Sequence, residues 1–335
     1  MLVELEGLLD GLLELPAHRL HERLAGPTLI HLPGREPAPL LIAVLLHGNE
    51  ETGWEAVRRV LTARSGSELP RALSLFIGNV AAAAERVRRL PDQADYNRIW
   101  NGGVGAEQVM AERVVERMAA RNLFASIDLH NNTGLNPHYA CINRLEHPFL
   151  HLATLFSRTI VHFVRPDTVQ SMAFSRICPA VTVECGKPGQ EYGIERAAAF
   201  IDAVLHLTDF PRHPVPVHDY DLFHTVATVK VPPNITFGFD DASDLSFPAD
   251  LDELNFTELP AGTLLAAVNH PGAALLTIGE NGESLSEHYF ELADGELRTR
   301  VPVMPSMLTL DERVIRQDCL CYLMERLPPL VTNHP

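Results

Sequence analysis

Basic residues are scarce in this sequence, and their scarcity argues against one large class of partners. The chain has 27 lysine and arginine residues against 43 aspartate and glutamate residues, a formal net charge of −16 at pH 7. Such an acidic chain is repelled by nucleic acid and by anionic membrane surfaces, so we expect neither as a partner. A small anionic substrate is still compatible with this charge, because cationic side chains in a cleft can oppose the global sign.

Long apolar runs are also lacking, and no segment approaches the roughly 20 apolar residues that a membrane span needs. The N-terminus lacks the positive charge and the small-residue cleavage site of a signal peptide, because acidic residues such as Glu4 and Glu6 interrupt its apolar residues. We therefore interpret Met1–Leu15 as an amphipathic surface helix.

Cysteine is too rare and too scattered for a disulfide framework, with five residues in a chain of 335. Cys319 and Cys321 lie close together but lack the spacing of a zinc knuckle. We interpret Cys178 and Cys185 as small core residues rather than nucleophiles, because no paired histidine is evident. Reduced thiols indicate a cytoplasmic protein.

The pattern of the chain predicts two domains. With 46% hydrophobic residues, the chain can form a full core. Apolar runs alternate with helical periodicity through residues 1–212, which is typical of an α/β fold with a mostly parallel, mixed sheet flanked by helices. Over residues 213–335, short alternating segments and turns predict a smaller β-rich domain. Within it, we expect Leu310–Leu327 to form a terminal helix.

The most informative stretch is the apolar run Pro39–Leu46, which is typical of a buried strand and stops abruptly at His47-Gly48-Asn49-Glu50. In open α/β sheets, the turn after such a strand is where ligands bind. Histidine and glutamate both suit zinc, and a catalytic zinc needs a third protein ligand with one position left open for water.

His130 is the candidate third ligand. It follows the strand Phe124–Leu129, so it is expected at the same edge of the sheet as His47 and Glu50. Asp128, two residues earlier, can hold the imidazole of His130 without itself being a ligand. The alternative is that His130 is an ordinary loop histidine. Three strands that end in a histidine or a glutamate make this alternative less attractive.

Glu184 is the candidate general base, because it ends a third apolar strand, Pro179–Val183. A carboxylate at the mouth of a buried strand is costly unless it has charged partners. Beside a zinc site it can take a proton from water and pass it to a leaving amine. The alternative is a glutamate that caps a helix or forms a salt bridge.

Several cations are candidates for binding an anionic substrate. Asn97 and Arg98 place an amide beside a guanidinium, and arginine binds carboxylates bidentately. Arg88 and Arg89 are candidates for stabilising a developing oxyanion. Arg176, eight residues before the candidate base, can fold back towards the cleft. Each arginine has an alternative interpretation as an exposed, solvated charge.

Four motifs occur in the order seen in the succinylglutamate desuccinylase and aspartoacylase family, which belongs with the zinc carboxypeptidase-like hydrolases. The resemblance covers roughly Leu40–Lys187. Its motifs are His47-x-x-Glu50, Asp95-Tyr96-Asn97-Arg98, Asp128-Leu129-His130-Asn131 and Val183-Glu184-Cys185-Gly186. A patch over Asn255–Gly262 resembles the family's C-terminal β domain. The combination is specific, whereas each motif alone is not.

The resemblance implies a carboxypeptidase-like fold and one zinc per chain, held by His47, Glu50 and His130. It also implies that Glu184 is the general base and acid. The chain departs from the family at Tyr96, where leucine is usual.

The resemblance further implies roles for the cations. Asn97 and Arg98 match the pair that binds the substrate carboxylate. The arginine that polarises the scissile carbonyl corresponds to Arg88 or Arg89, depending on which flanking residue the spacing is counted from. Arg176 resembles a second carboxylate-binding arginine, after a two-residue gap.

The expected activity is therefore zinc-dependent hydrolysis of the amide bond of an N-acyl amino acid, within amino-acid metabolism. The expected partner is a small-molecule substrate, and self-association into a homo-oligomer is left open. One alternative is a carboxypeptidase that acts on small peptides. Another is a zinc-binding homologue with impaired catalysis.

Overall fold

The computed structural model describes residues 2–211, 213–240 and 242–328 of the chain. The predicted boundary between the two domains falls on Arg212, and the predicted second domain runs to Pro335. Both of these residues lie outside the described part of the chain.

The described residues divide into two units. The first contains residues 2–131 and His138–Leu222. The second contains Asn132–Pro137 and Phe223–Pro328, so it includes a short segment from the middle of the first unit's sequence.

The first unit alternates strands and helices, as the sequence predicts. Its strands are β1 (Val3–Glu6), β2 (Thr28–Leu32), β3 (Gly34–Val44), β4 (Leu69–Ile77), β5 (Ala125–His130), β6 (Tyr139–Ile142), β7 (Thr159–His162) and β8 (Ala180–Glu184). Its α-helices are α1 (Thr52–Ala63), α2 (Val80–Glu85), α3 (Ala106–Ala119), α4 (His147–Thr154), α5 (Gln170–Phe174) and α6 (Glu191–His206). No helix in the described part of the chain has both the length and the apolar character that crossing a membrane requires.

The sheet of the first unit has a parallel centre. Its strands are hydrogen-bonded in the order β1-β2-β4-β3-β5-β8-β6-β7. β3 runs parallel to β4 and β5, and β5 runs parallel to β8. The β2–β4 and β8–β6 pairs are antiparallel. The predicted fold class, a mixed α/β sheet with flanking helices, is confirmed.

The parallel register brings the ends of three strands to one edge of the sheet. His130, the last residue of β5, lies in register with Glu184, the last residue of β8. Ala43 of β3 lies in register with Asp128 of β5, so the chain after β3 leaves the sheet at the same edge. Ligands of open α/β sheets bind at this edge, beyond the carboxyl ends of the strands.

The second unit is rich in short strands, as the sequence predicts. These are β9 (Asp221–Lys230), β10 (Phe237–Gly238), β11 (Leu245–Ser246), β12 (Leu264–Val268), β13 (Leu276–Gly279), β14 (Phe290–Ala293), β15 (Glu296–Thr299), β16 (Met304–Ser306) and β17 (Cys321–Leu327). Five of them form a sheet in the order β10-β11-β12-β15-β14. β9 pairs with β13, and β16 pairs with β17, both antiparallel. Two short helices, α7 (Ser286–Tyr289) and α8 (Glu312–Gln317), complete the unit.

The helices predicted at the two ends of the sequence are wrong. In Met1–Leu15, the acidic and apolar residues alternate with period two over β1, which pairs with β2, and Gly7 and Gly11 then adopt positive φ values that a helix does not allow. In Leu310–Leu327, α8 ends at Gln317 and the following apolar residues form β17. Pairing with β16 outweighs the helical propensity of that run.

Candidate metal centre

The loop after β3 turns sharply before it reaches His47. Leu45 is fully buried and has a φ of 56°, in the left-handed region that residues other than glycine rarely adopt. Strain of this kind costs about 1–3 kcal/mol and is concentrated at functional sites. Gly48 lies against α2, where a Cβ atom would come within 2.2 Å of the backbone of Ala82. Close backbone packing therefore determines where this loop presents its side chains.

Three side chains converge where the loop after β3 meets the end of β5. Nδ1 of His47 lies 2.7 Å from Oε1 of Glu50, and Nδ1 of His130 lies 2.8 Å from Oε2 of the same carboxylate. One potential ligand atom from each residue lies within 4.8 Å of the other two, and all three residues are buried. The structure therefore brings together His47, Glu50 and His130 in a group that could hold a metal ion.

The donor set suits a zinc ion. Two imidazole nitrogens and one carboxylate are a ligand set found in catalytic zinc sites. Bond lengths near 2.1 Å around a tetrahedral zinc separate its ligand atoms by about 3.4 Å, which lies within the spread that this group shows. The three side chains are therefore close enough together to be ligands of one ion.

The outer nitrogens of both histidines contact carboxylates. Nε2 of His47 lies 3.0 Å from Oδ1 of Asp95. Nε2 of His130 lies 3.0 Å from Oδ2 of Asp128, and the side-chain amide of Asn97 lies 3.3 Å from the same nitrogen. The Asp95 carboxylate at the outer nitrogen of His47 favours a proton there, which leaves Nδ1 of His47 facing Glu50. Asp128 is therefore close to His130, as expected, but at the distance of an ion pair and without hydrogen-bond geometry.

The electrostatics favour ionised carboxylates in this group. Burial acts to raise the pKa of Glu50, but the charges of His47 and His130 outweigh it and hold this pKa well below its usual range. Burial acts to lower the pKa of His130, but Asp128 and Glu50 raise it well above the usual value. A metal ion bound here would therefore compete with a proton for His130, and its affinity would fall as the solution becomes more acidic.

Asp95 links a histidine to an arginine. Its Oδ2 accepts hydrogen bonds from Nη2 and Nε of Arg88, at 3.0 and 3.2 Å, while its Oδ1 faces His47. Burial acts to raise the pKa of Asp95, but His47, Arg88 and Arg98 outweigh it, so this pKa lies far below its usual range. Asp95 is therefore a carboxylate that links the guanidinium of Arg88 to the imidazole of His47.

The two neighbouring arginines that the sequence leaves as alternatives have different surroundings. Nη1 of Arg88 lies 3.8 Å from Oε1 of Glu50, and its guanidinium is largely buried. Arg89 donates from Nη1 to the backbone carbonyl of Gln93 at 2.9 Å. Arg88 therefore lies against the candidate metal-binding group, whereas Arg89 contacts the backbone of its own loop.

Asn97 and Arg98 are held beside Asp95, because their backbone N–H groups donate to its side-chain Oδ1 and its backbone carbonyl, both at 2.8 Å. Asn97 is 8% exposed, and its Oδ1 accepts from the backbone N–H of Gln170 at the start of α5, at 3.2 Å. Arg98 donates to the backbone carbonyl of Asn97 at 2.9 Å, and its charge contributes to the low pKa of Asp95. Both residues are therefore near the candidate ligands.

Glu184, the candidate base, ends β8 between the two neighbouring strands β5 and β6. It is 8% exposed and lies in register with His130 on one side and with Tyr139 on the other. Residues in register on adjacent strands project from the same face. Burial, with the charge of Glu184 adding to it, raises the pKa of the Cys141 and Cys185 thiols well above the usual value.

Arg176 is not brought to this group. It is exposed and follows the C-terminal end of α5, before β8 begins at Ala180. Glu184 is at the other end of β8, so the length of the strand separates the two residues. A gap in the motif spacing, as the sequence shows here, does not specify where an arginine lies in space.

The role of Asp95 is the main feature that the sequence interpretation missed. Asp95 begins the segment in which only Asn97 and Arg98 were considered. A carboxylate two residues before a candidate substrate-binding pair was an available signal, because metal-binding histidines usually have such a partner.

One family model matches about half of the chain. The model described as "Succinylglutamate desuccinylase/Aspartoacylase catalytic domain" matches residues 38–210, which include every candidate site residue described above. Among curated proteins, none is similar enough to this chain to count as a match.

Solved structures with the same fold include three hydrolases. The succinylglutamate desuccinylase from Chromobacterium violaceum is 19% identical with a TM-score of 0.57, over 88% of this chain and 86% of that one. A succinylglutamate desuccinylase/aspartoacylase from Rhodobacter sphaeroides is 14% identical with a TM-score of 0.59, over 89% and 87%. Murine aminoacylase 3 is 15% identical with a TM-score of 0.57, over 89% and 99%. At these identities the likeness establishes the fold.

Replacing Asp95 by asparagine is expected to weaken metal binding. The Asp95→Asn variant loses the carboxylate that holds Nε2 of His47, and partners of this kind are typically worth about 10- to 100-fold in metal affinity. The measurement is the zinc dissociation constant of metal-free protein, by competition with a chromogenic chelator. The control is Asp92→Asn, an exposed aspartate in the same loop, which should bind zinc like the wild type. An unchanged zinc affinity in Asp95→Asn would show that Asp95 does not support the centre.

Proposed function

Because the chain belongs to the succinylglutamate desuccinylase/aspartoacylase family, we propose that it is a zinc-dependent hydrolase that cleaves the amide bond of an N-acyl amino acid. The observation that carries this proposal is the convergence of His47, Glu50 and His130 at one edge of the sheet. A hydrolase of this family needs a metal centre with catalytic groups beside it. The chain has candidates for each part.

Zinc held by these three residues would supply the Lewis acidity that makes water a usable nucleophile near pH 7. The remaining chemistry is assigned to side chains of this protein. Asp95 holds the imidazole of His47 in the orientation that presents Nδ1, and Asp128 supplies a negative charge beside His130. The backbone N–H of Asn131 donates to Oε2 of Glu50 at 3.0 Å and fixes the carboxylate.

Glu184 acts as the general base and then as the general acid. Its carboxylate accepts a proton from the attacking water and delivers it to the nitrogen of the leaving amine. The register of Glu184 beside His130 supports this role, because it puts the carboxylate next to a ligand. Its burial supports the role as well, because electrostatic interactions between fixed groups are stronger where solvent access is low.

Arg88 is assigned to the oxyanion that develops on the scissile carbonyl. Its guanidinium lies 3.8 Å from Glu50 and is held by Asp95, so a fixed positive charge faces the reacting region. Asn97 and Arg98 are assigned to the carboxylate of the amino-acid substrate, which arginine can bind bidentately. Arg176 is left out of this assignment because it is exposed at the other end of β8.

Hydrolysis of a panel of N-acyl amino acids tests the proposal directly. The panel contains N-succinylglutamate, N-acetylaspartate, other N-acetyl amino acids and several dipeptides. We expect zinc-loaded protein to release the free amino acid from at least one N-acyl substrate, and chelated protein to lose this activity and to regain it with zinc. Preferential cleavage of dipeptides would favour a carboxypeptidase instead. Zinc binding without any turnover would favour an impaired homologue.

Replacing Glu184 by glutamine should separate metal binding from catalysis. Glu184→Gln keeps the shape of the side chain but cannot accept a proton, so kcat should fall about 10²- to 10⁴-fold. The zinc content should stay at the wild-type level, because Glu184 is not assigned as a ligand. The measurements are kcat on the best panel substrate and zinc per chain. A well-folded variant with an unchanged rate would remove Glu184 from the mechanism.

The two adjacent arginines provide a matched pair of variants. Arg88→Ala should lower kcat about 10²- to 10³-fold, because it removes a fixed charge beside the developing oxyanion. Arg89→Ala removes a side chain that contacts the Gln93 carbonyl, and should change kcat much less. The comparison requires kcat and the melting temperature of both variants. If Arg89→Ala loses the larger part of the rate, the assignment of the two arginines is reversed.

A further inference from the structure

Asn131, the residue after His130, makes an unusual set of contacts. It is 4% exposed. Its Nδ2 donates to Oγ1 of Thr52 at 2.9 Å and to the backbone carbonyl of Gly186 at 2.7 Å. Its Oδ1 accepts from the backbone N–H of Thr52 at 3.2 Å. One side chain therefore makes three hydrogen bonds to two other segments of the chain.

These partners belong to the segments that carry the candidate ligands and the candidate base. Thr52 comes two residues after Glu50, and Gly186 comes two residues after Glu184. Asn131 itself follows His130. Its side chain is therefore a direct connection between the turn after β3, the end of β5 and the turn after β8.

The start of α1 relies on Asn131 for a capping hydrogen bond. α1 begins at Thr52, and its N-cap residue, Glu51, makes no side-chain capping hydrogen bond. The Oδ1 atom of Asn131 takes the place of such a cap, because it accepts from one of the backbone N–H groups that a helix start leaves unpaired. At the other side, Gly186 has a φ of 74°, a conformation that favours glycine, and its carbonyl points to Nδ2 of Asn131.

An amide is needed for this combination of bonds. It supplies an acceptor and two N–H donors from one planar group. An aspartate at this position cannot donate to the Gly186 carbonyl, and an alanine removes all three bonds. The backbone N–H of the same residue also donates to Oε2 of Glu50 at 3.0 Å, so main chain and side chain together hold the Glu50–Thr52 turn.

We propose that Asn131 is a positioning residue that sets the placement of Glu50 relative to Glu184, and so of the metal relative to the base. This inference rests on the proposed function. Loss of the side chain should let the turns after β3 and β8 move independently. Metal affinity and kcat should both fall, while KM should stay constant, because Asn131 lies outside the residues assigned to the substrate carboxylate.

The test compares Asn131→Ala with Asn143→Ala. Asn143 is also a buried asparagine of the first unit, 6% exposed, and donates from Nδ2 to the Phe163 carbonyl at 3.1 Å. It follows β6 at the end that points away from Glu184, because β6 and β8 are antiparallel with Tyr139 opposite Glu184. The two variants therefore lose the same chemical group at the two ends of the sheet.

We expect Asn131→Ala to raise the zinc dissociation constant about 10- to 100-fold and to lower kcat at least tenfold at saturating zinc, with KM within twofold of the wild type. Asn143→Ala should leave all three quantities within twofold of the wild type, even if it lowers the melting temperature as much as Asn131→Ala does. A third variant, Thr52→Val, removes only the Oγ1 partner and should have a smaller effect. Adding Thr52→Val to Asn131→Ala should change little, because the bond between Nδ2 of Asn131 and Oγ1 of Thr52 is already lost in Asn131→Ala.

Hydrogen exchange of the metal-free proteins separates this inference from the proposed function. Asn131→Ala should speed exchange at the Thr52 amide and in the turn around Gly186, whether or not the wild type binds zinc or turns over substrate. Unchanged exchange at both segments would overturn the inference. Faster exchange with wild-type zinc affinity and kcat would also overturn it, because the contact would then be structural only. A wild type without turnover, combined with faster exchange and weaker zinc binding in the variant, would contradict the proposed function and support the inference.

Discussion

A buried carboxylate between two imidazoles is the interaction on which this site depends. Glu50 is removed from water, and a carboxylate in that position is costly unless charged or donor groups surround it. His47 and His130 contact its two oxygens, and the backbone of Asn131 donates to one of them. The two histidines are 83 residues apart in the sequence, and the parallel register of β3 and β5 brings them together.

The two histidines beside this carboxylate have carboxylate partners of their own. Asp95 and Asp128 contact the outer nitrogens of the two histidines, and Asp95 also holds Arg88. Arg88, Asp95, His47 and Glu50 therefore form a continuous chain of polar contacts.

Much of this arrangement could be predicted from the sequence, because apolar runs that stop at a histidine or a glutamate indicate strand ends. The three candidate ligands and the mixed sheet follow from that pattern. Arg88 and Arg89 could not be separated, since adjacent residues in an irregular loop point in directions that only the fold determines. The N-terminal strand and β17 were missed because pairing with a distant strand decides their conformation. Arg176 was placed by motif spacing alone, which carries no information about the length of β8.

The central claim is that one metal ion is bound by two imidazoles and one carboxylate from two separate segments of the chain. Anomalous diffraction at the zinc absorption edge, from crystals of the protein grown with zinc, measures this most directly. The account predicts a single strong peak about 2.0–2.2 Å from Nδ1 of His47, a carboxylate oxygen of Glu50 and Nδ1 of His130. A peak at another group of side chains, or one that leaves His130 beyond bonding distance, would contradict it.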